Sequence, residues 1–431
     1  MVCDNITVNN GRLYFAGQDT VGLVGQYGTP LYLMDEDKVR ENCRLYTGAF
    51  SELFPSGSLP HYASKANCFK HIYRIMAEEG MGIDVVSSGE LYTALAAGFP
   101  MSDVCFHGNN KTDEDIKFGI ANHIGYFIAD NCEEVLTIEK FAAEAGIVQN
   151  IQLRITPGID PHTYAAVATG LVDSKFGSAI ETGQAYEITE LALKQPHVRL
   201  CGFHCHVGSQ VFGEDVFERA ADVMLRFIRE VYDRTGYMAG ILDLGGGYGV
   251  PYTAEDPVPD IRGSLAKVAA TIKNVCSELA IPEPAIMMEP GRSIVADAGM
   301  TLYTVGAVKK LPGYKNYISI DGGMSDNPRY ALYGSKYTTY IANRMDEECT
   351  MKADLVGRCC ESGDVIAVDT EYPASTCRGD IAAVCITGAY NYSMASNYNR
   401  IGRSAMVMLR GGGNSLAVKR ESFEDMLRNE I

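Results

Sequence analysis

The feature that most limits what this chain can fold into is a regular alternation. Short apolar runs that close on turn-forming residues recur at LPHYASKA (59–66), GIDVVSS (82–88), VCFHGNN (104–110) and GYFIAD (125–130). They continue at IQLRITP (151–157), LCGFHCHVGS (200–209), ILDLGGG (241–247) and AIMMEPG (285–291). Between them lie segments such as FKHIYRIMAEEG, GELYTALAAG and EEVLTIEKFAAEAG, with apolar residues at helical spacing and a closing Gly. Eight strands alternating with helices predict a (β/α)8 barrel. Such barrels place their chemistry at the C-terminal ends of the strands. Polar residues gather at those ends here: Lys65, Asp84, His107, Asn109, Asp130, Arg154, His206, the glycines from Gly245, and Glu289.

The texture changes near residue 292. Segments such as YKNYISID, DVIAVDTEY, GDIAAVCITGAY and SAMVMLRGGG read as strands separated by Gly, Pro, Asn and Asp. A chain of 431 residues favours two domains. The expectation is therefore a barrel over 31–290 and a β-rich domain, barrel or sandwich, over 1–30 plus 291–431. ITVNNGRLYFAG near the N-terminus is strand-like and is assigned to the second domain.

Charge and cysteine usage exclude some classes of function. Against 37 basic residues stand 54 acidic ones, a net charge of −17 that disfavours nucleic acid or an anionic membrane as partner. Thirteen irregularly spaced cysteines, Cys359 and Cys360 adjacent among them, suggest free thiols in a reducing cytoplasm. MVCDNITVNN has neither a basic region nor an apolar core, so no signal peptide is expected. No apolar run approaches the roughly 20 residues that span a bilayer.

CGFHCHVGSQ (201–210) invites a metal reading, since Cys and His are common zinc ligands. On a strand, however, His204 and His206 share one face while Cys201, Phe203 and Cys205 take the other. The stretch cannot supply four ligands and no C-x-x-C pair completes it, so no metal is expected. GGGYG (245–249) ends the seventh strand. It is neither a dinucleotide fingerprint nor a Walker loop, but barrels commonly bind phosphate after strands seven and eight. Lys65 ends the first strand, where desolvation would free its amine for a Schiff base. An amine facing a phosphate site suggests pyridoxal phosphate, with Glu289 as partner of the pyridinium nitrogen.

A family resemblance rests on a series of motifs met in order. HYASKAN, FHGNNKTDEDI, DSKFG, FHCHVGSQ, LDLGGGYGVPY, MMEPGRSIVADAG, DGGMSDNPRYALYG, CCESGDVI and TGAYNYSMASNYN resemble those of diaminopimelate decarboxylases, fold type III enzymes that use pyridoxal phosphate. The matches span residues 60 to 400. The resemblance implies that Lys65 carries the cofactor covalently and that His206 lies flat against its ring. Ser209, Gly246, Gly247, Gly249 and the backbone of Pro290, Gly291 and Arg292 would hold the phosphate. Glu289 would keep the ring nitrogen protonated, and Tyr390 would flank cofactor and substrate. Cys360 would return a proton to the substrate carbon. Arg292, Arg329 and Tyr333 would take the distal carboxylate of meso-diaminopimelate, and Glu361 its distal ammonium. The product would be L-lysine, in the last step of lysine biosynthesis. In the family Cys360 and Glu361 reach the pocket from the other subunit, so a homodimer with sites at its interface is implied.

Two positions depart from the family pattern: Ser88 stands where Gly is frequent, and Tyr330 where Pro is. The alternatives are a decarboxylase of another basic amino acid and a catalytically silent cofactor-binding protein. CRGD (377–380) reads as a turn and carries no function.

Overall fold

The computed structural model describes residues 1–159, 174–213 and 215–431, so Asp173 of the DSKFG motif, and ATGLVD to which it belongs, lie outside the described residues. The chain divides into two units. One is Asn42–Gly249 with Val258–Gly291; the other is Met1–Glu41 with Val250–Pro257 and Arg292–Ile431.

The first unit is the expected barrel. Its strands are β1 Leu59–Ala63, β2 Gly82–Val85, β3 Val104–Phe106, β4 Tyr126–Ala129, β5 Gln149–Thr156, β6 Val198–His204, β7 Ile241–Asp243 and β8 Ala285–Met288. All pair in parallel with their sequence neighbours, and β8 pairs with β1 to close the ring. A two-residue strand, Ser178–Ala179, adds outside the ring along β5. Seven strands are followed by a helix; after β8 there is only the single turn Arg292–Val295. The helices begin and end where local chemistry dictates. Thr112 and Asp115 form a capping box for Asp113–Ala121, and Asn131 caps Cys132–Ala145. Gly98 and Gly146 end their helices in the left-handed conformation.

Strand alternation sorts the side chains. Phe203 of β6 packs on Phe227 and Tyr237, whereas its neighbour His204 turns the other way, into the barrel. Gln152 of β5 donates to the sulfur of Met287 on β8 at 3.3 Å. Those strands are not neighbours, so both side chains face the lumen. A packed interior of this kind makes the barrel a core rather than a channel.

In the second unit a large sheet runs in the order Val365–Pro373, Cys349–Val356, Asn316–Ile320, Gly299–Lys310, Leu31–Asp35, Ala405–Arg410, Gly413–Val418. Ile381–Cys385 also pairs with Gly299–Lys310 and carries Thr339–Ile341 on its other edge. Ile6–Asn9, Arg12–Phe15 and Gln18–Asp19 form a small antiparallel sheet of their own within this unit. Leu13 N–H donates to the Ala342 carbonyl at 2.8 Å.

The expected boundary at residue 31 is corrected. Leu31–Asp35 is buried at every position and lies between Gly299–Lys310, antiparallel, and Ala405–Arg410, parallel. Val250–Pro257 also belongs here; the Thr338 hydroxyl donates to the Tyr252 carbonyl at 2.9 Å. Among the described residues no helix is long and apolar enough to cross a membrane.

Candidate active site

The barrel groups converge at the strand ends. Lys65 sits on the turn Ser64–Ala66 directly after β1. Two bonds fix that turn. The Ser64 amide donates to Asp84 at the end of β2, at 3.0 Å. The Ala63 amide donates to the Pro290 carbonyl beyond β8, at 3.1 Å. Lys65 is exposed, which corrects the expectation of a desolvated amine.

Glu289 follows β8 and is 6% exposed. Its Oε1 lies 2.9 Å from His107 Nε2 and 3.3 Å from His204 Nε2. Burial pushes the Glu289 carboxyl up, but the two imidazoles outweigh it and hold the group well below the usual range. Burial also lowers both histidines against the pull of Glu289, His204 to about 4, so they are neutral donors. Asp84 and Asp243 are driven the other way, well above the usual carboxylate range, by burial and then by Glu289 itself. Of three buried acids, only Glu289 is held as an anion.

His206 accepts the Gly246 amide on Nδ1 at 3.2 Å, which leaves its proton on Nε2. Burial, then the cations Lys65 and Arg154, keep it neutral. The glycine loop is shaped by close approach. A Cβ on Gly246 would stand 2.0 Å from the Glu289 carbonyl. Gly247 has φ 129°, and a Cβ there would meet the Gly208 carbonyl at 2.1 Å.

The β-rich unit holds the remaining candidates. Arg292 and Arg329 both lie against the Tyr390 ring, with guanidinium carbons 4.8 and 5.2 Å from its centroid. Arg329 also covers Tyr333 at 4.4 Å, and Arg292 donates to the Tyr252 hydroxyl at 2.7 Å. Arg329 is 7% exposed, its Nε has no hydrogen-bond acceptor, and no ion pair is formed by it among the described residues. Tyr390 has φ 62°, an uncommon value for a bulky residue and a strain that clusters at functional sites. Cys360 and Glu361 are exposed, with the Cys360 amide bound to Asn399 Oδ1 at 2.7 Å. Cys359 is buried.

His204 entered the sequence reading only through the metal question, and His107 only as a polar residue at a strand end. The structure brings both to Glu289, and with it they offer three ligand atoms within 4.8 Å of one another. Ser88 donates from its amide and hydroxyl to Asp115, tying helix Ser88–Ala97 to the next one.

A barrel with a strand-end lysine, a buried carboxylate and a glycine loop defines a class, and residues 36–296 match the family described as pyridoxal-dependent decarboxylase, pyridoxal binding domain. The diaminopimelate decarboxylase of Bacillus subtilis (strain 168) is 41% identical over 422 residues, 98% of this chain and 96% of that one. That of Bacillus methanolicus is 42% identical, with 95% of each chain covered. The crystal structure of the M. jannaschii diaminopimelate decarboxylase in complex with L-lysine superposes with a TM-score of 0.92 at 34% identity, covering 100% of this chain and 98% of that one. The chain belongs to the diaminopimelate decarboxylase family.

The residues present fit that family's cofactor, pyridoxal phosphate. Lys65 offers an amine, Glu289 a buried anion for a protonated ring nitrogen, and His206 a neutral ring. The amides of the expected phosphate segment fall into two groups. The amides of Gly246 and Gly249 are bound to His206 and to the Val211 carbonyl. Those of Gly247 and Gly291 have no protein acceptor among the described residues, which suits an anion.

Proposed function

We propose that the enzyme releases carbon dioxide from meso-diaminopimelate and yields L-lysine, closing lysine biosynthesis. The observation that carries the substrate is Arg329, a buried cation set against two tyrosine rings with no carboxylate paired to it among the described residues. An ornithine or lysine side chain ends in an ammonium and offers it nothing. Diaminopimelate ends in a second amino acid group whose carboxylate matches a guanidinium fork.

Pyridoxal phosphate, when bound, accepts the electron pair left as carbon dioxide departs. Every other role belongs to the chain. The Lys65 amine holds the cofactor aldehyde covalently, and Glu289 keeps the ring nitrogen protonated. His206 supports the ring face. Ser209 and the amides of Gly247 and Gly291 bind the phosphate, with Pro290 and Arg292 completing that segment. Arg292, Arg329 and Tyr333 bind the distal carboxylate, Glu361 binds the distal ammonium, and Tyr390 orients both arginines. Cys360 delivers the proton to the substrate carbon.

We assign a homodimer in which Cys360 and Glu361 serve the other subunit's site; their exposure on the single chain supports this. All thirteen cysteines are free, which supports a cytoplasmic location. Carbon dioxide release from meso-diaminopimelate, ornithine, lysine and arginine tests the substrate. Turnover of diaminopimelate above the other three is expected, and turnover of ornithine alone overturns the assignment.

A further inference from the structure

Two fully buried imidazoles meet one carboxylate oxygen inside the barrel, and the roles given so far use neither ring. His107 and His204 come from the ends of β3 and β6, on either side of Glu289 beyond β8. Their rings lie edge to face with centroids 5.0 Å apart. Both approach Oε1, at 2.9 and 3.3 Å. Among the described residues neither nitrogen of His204, nor Nε2 of His107, nor Oε1 of Glu289 has an aligned hydrogen-bond partner, so these atoms have only one another within reach. A buried imidazole without a partner costs free energy, so Glu289 is the group that accounts for both.

We propose that His107 and His204 are positioning residues for Glu289: their Nε2 groups hold Oε1, fixing the direction and the negative charge of the carboxylate that meets the cofactor's ring nitrogen. The inference rests on the reading of Glu289 as partner of that nitrogen. Its chemistry follows from what surrounds the site. Asp84 and Asp243, from β2 and β7, face the same carboxylate, and burial and then its charge drive both well above the usual carboxylate range. Arg154 on β5 is attracted to it, and Lys65 faces Asp84 and His206. Of three acids buried together, the one that keeps its charge is the one with polar N–H groups beside it. Two neutral N–H groups supply that preference without adding a cation that would compete with the ring nitrogen for Glu289.

The test compares affinity for pyridoxal phosphate with affinity for its carbocyclic analogue, in which the ring nitrogen is replaced by CH. Both are titrated by fluorescence into full-length protein stripped of cofactor. The analogue keeps the aldehyde and phosphate, so the affinity ratio reports the ring nitrogen alone. A charge-assisted hydrogen bond sets that ratio at roughly ten- to hundred-fold in the unaltered protein. Gln places its amide nitrogen near the position of imidazole Nε2, whereas Asn reaches only as far as Nδ1. His107→Gln is expected to keep the ratio, and His107→Asn to cut it to about threefold or less; the same pair is made at His204. The Asn and Gln variants differ by one methylene and share any general loss of packing, so folding defects do not decide the outcome.

If all four variants keep the full ratio while Glu289→Gln abolishes it, the positioning inference fails and the role of Glu289 stands. If Glu289→Gln also keeps the ratio, it is the role of Glu289 that fails. Stoichiometric zinc in the purified protein, lost on either histidine substitution, would mean that the three donors form a metal site and would overturn the proposal.

Discussion

In the barrel, Glu289 is an anion 6% exposed whose stabilising donors, His107 and His204, are supplied by the chain itself. In the β-rich unit, Arg329 is a cation almost as deeply buried, and among the described residues it meets the faces of Tyr333 and Tyr390 and no carboxylate. A buried charge is costly unless compensated. The barrel completes that compensation internally, which fits the role proposed for Glu289. On the proposed reading, the β-rich unit leaves it to the anion that arrives. Cationic stacking on aromatic rings offsets only part of the cost of burying Arg329.

The largest test of the contrast is Lys65, the barrel group that is exposed. Lys65→Ala should cut turnover by roughly 10⁴-fold or more while the melting temperature moves by less than about 2 °C. Assay and calorimetry on one preparation check this, and borohydride should fix the cofactor to the Lys65 peptide of the unaltered protein. A large loss of stability would show that the turn Ser64–Ala66 depends on the lysine.

Next in size is the neighbouring cysteine pair. Cys360→Ala should lower kcat by roughly 10²- to 10³-fold with little change in stability, as removal of a proton donor does. Cys359→Ala should cost about 1 kcal/mol of stability with turnover nearly intact, since Cys359 is the buried member. Mixing inactive Lys65→Ala and Cys360→Ala proteins under subunit exchange should restore part of the activity. Proven exchange without recovery would reject sites shared between subunits.

Arg329→Lys sharpens the argument about the unpaired cation. It keeps the charge and removes the planar fork, and should raise KM for diaminopimelate by roughly ten- to hundred-fold, the range of a charged hydrogen bond. An unchanged KM would show that charge alone suffices.

The smallest effect is the pH response of the barrel. The unfolded imidazole of His204 binds a proton near pH 6.5, the folded one only near 4, because burial opposes its charge. The unfolded chain therefore takes up more protons in that window, and stability falls as pH drops through it. His204→Gln removes this contribution and should flatten the slope by at most about 1.4 kcal/mol per pH unit, read from urea midpoints between pH 7 and 4.

Much of this was legible before any coordinates. All eight barrel strands were, because each is a short apolar run bounded by turn residues and all but the last are followed by a helix. The closing glycines at 98 and 146 announced two helix ends. What escaped was partnership. LYLMD at 31–35 looks like any buried parallel strand, and nothing local says that its neighbours lie at 299–310 and 405–410. The Glu289 pair escaped for the same reason. A histidine at a strand end is a polar residue near a mouth until geometry shows that two of them, nearly 100 residues apart, converge on one oxygen.

That late pairing bears on how the chain is made. The barrel unit is complete in sequence at Gly291, while Leu31–Asp35 must wait for both of its neighbours, the second ending at Arg410. During synthesis a strand that ends up buried at every position therefore stays unsheltered for more than 250 residues of elongation, with backbone donors and acceptors open to any passing edge. A nascent or truncated chain that stops at 291 carries a finished barrel and an aggregation-prone arm, so its solubility would be governed by five residues far from its own stopping point.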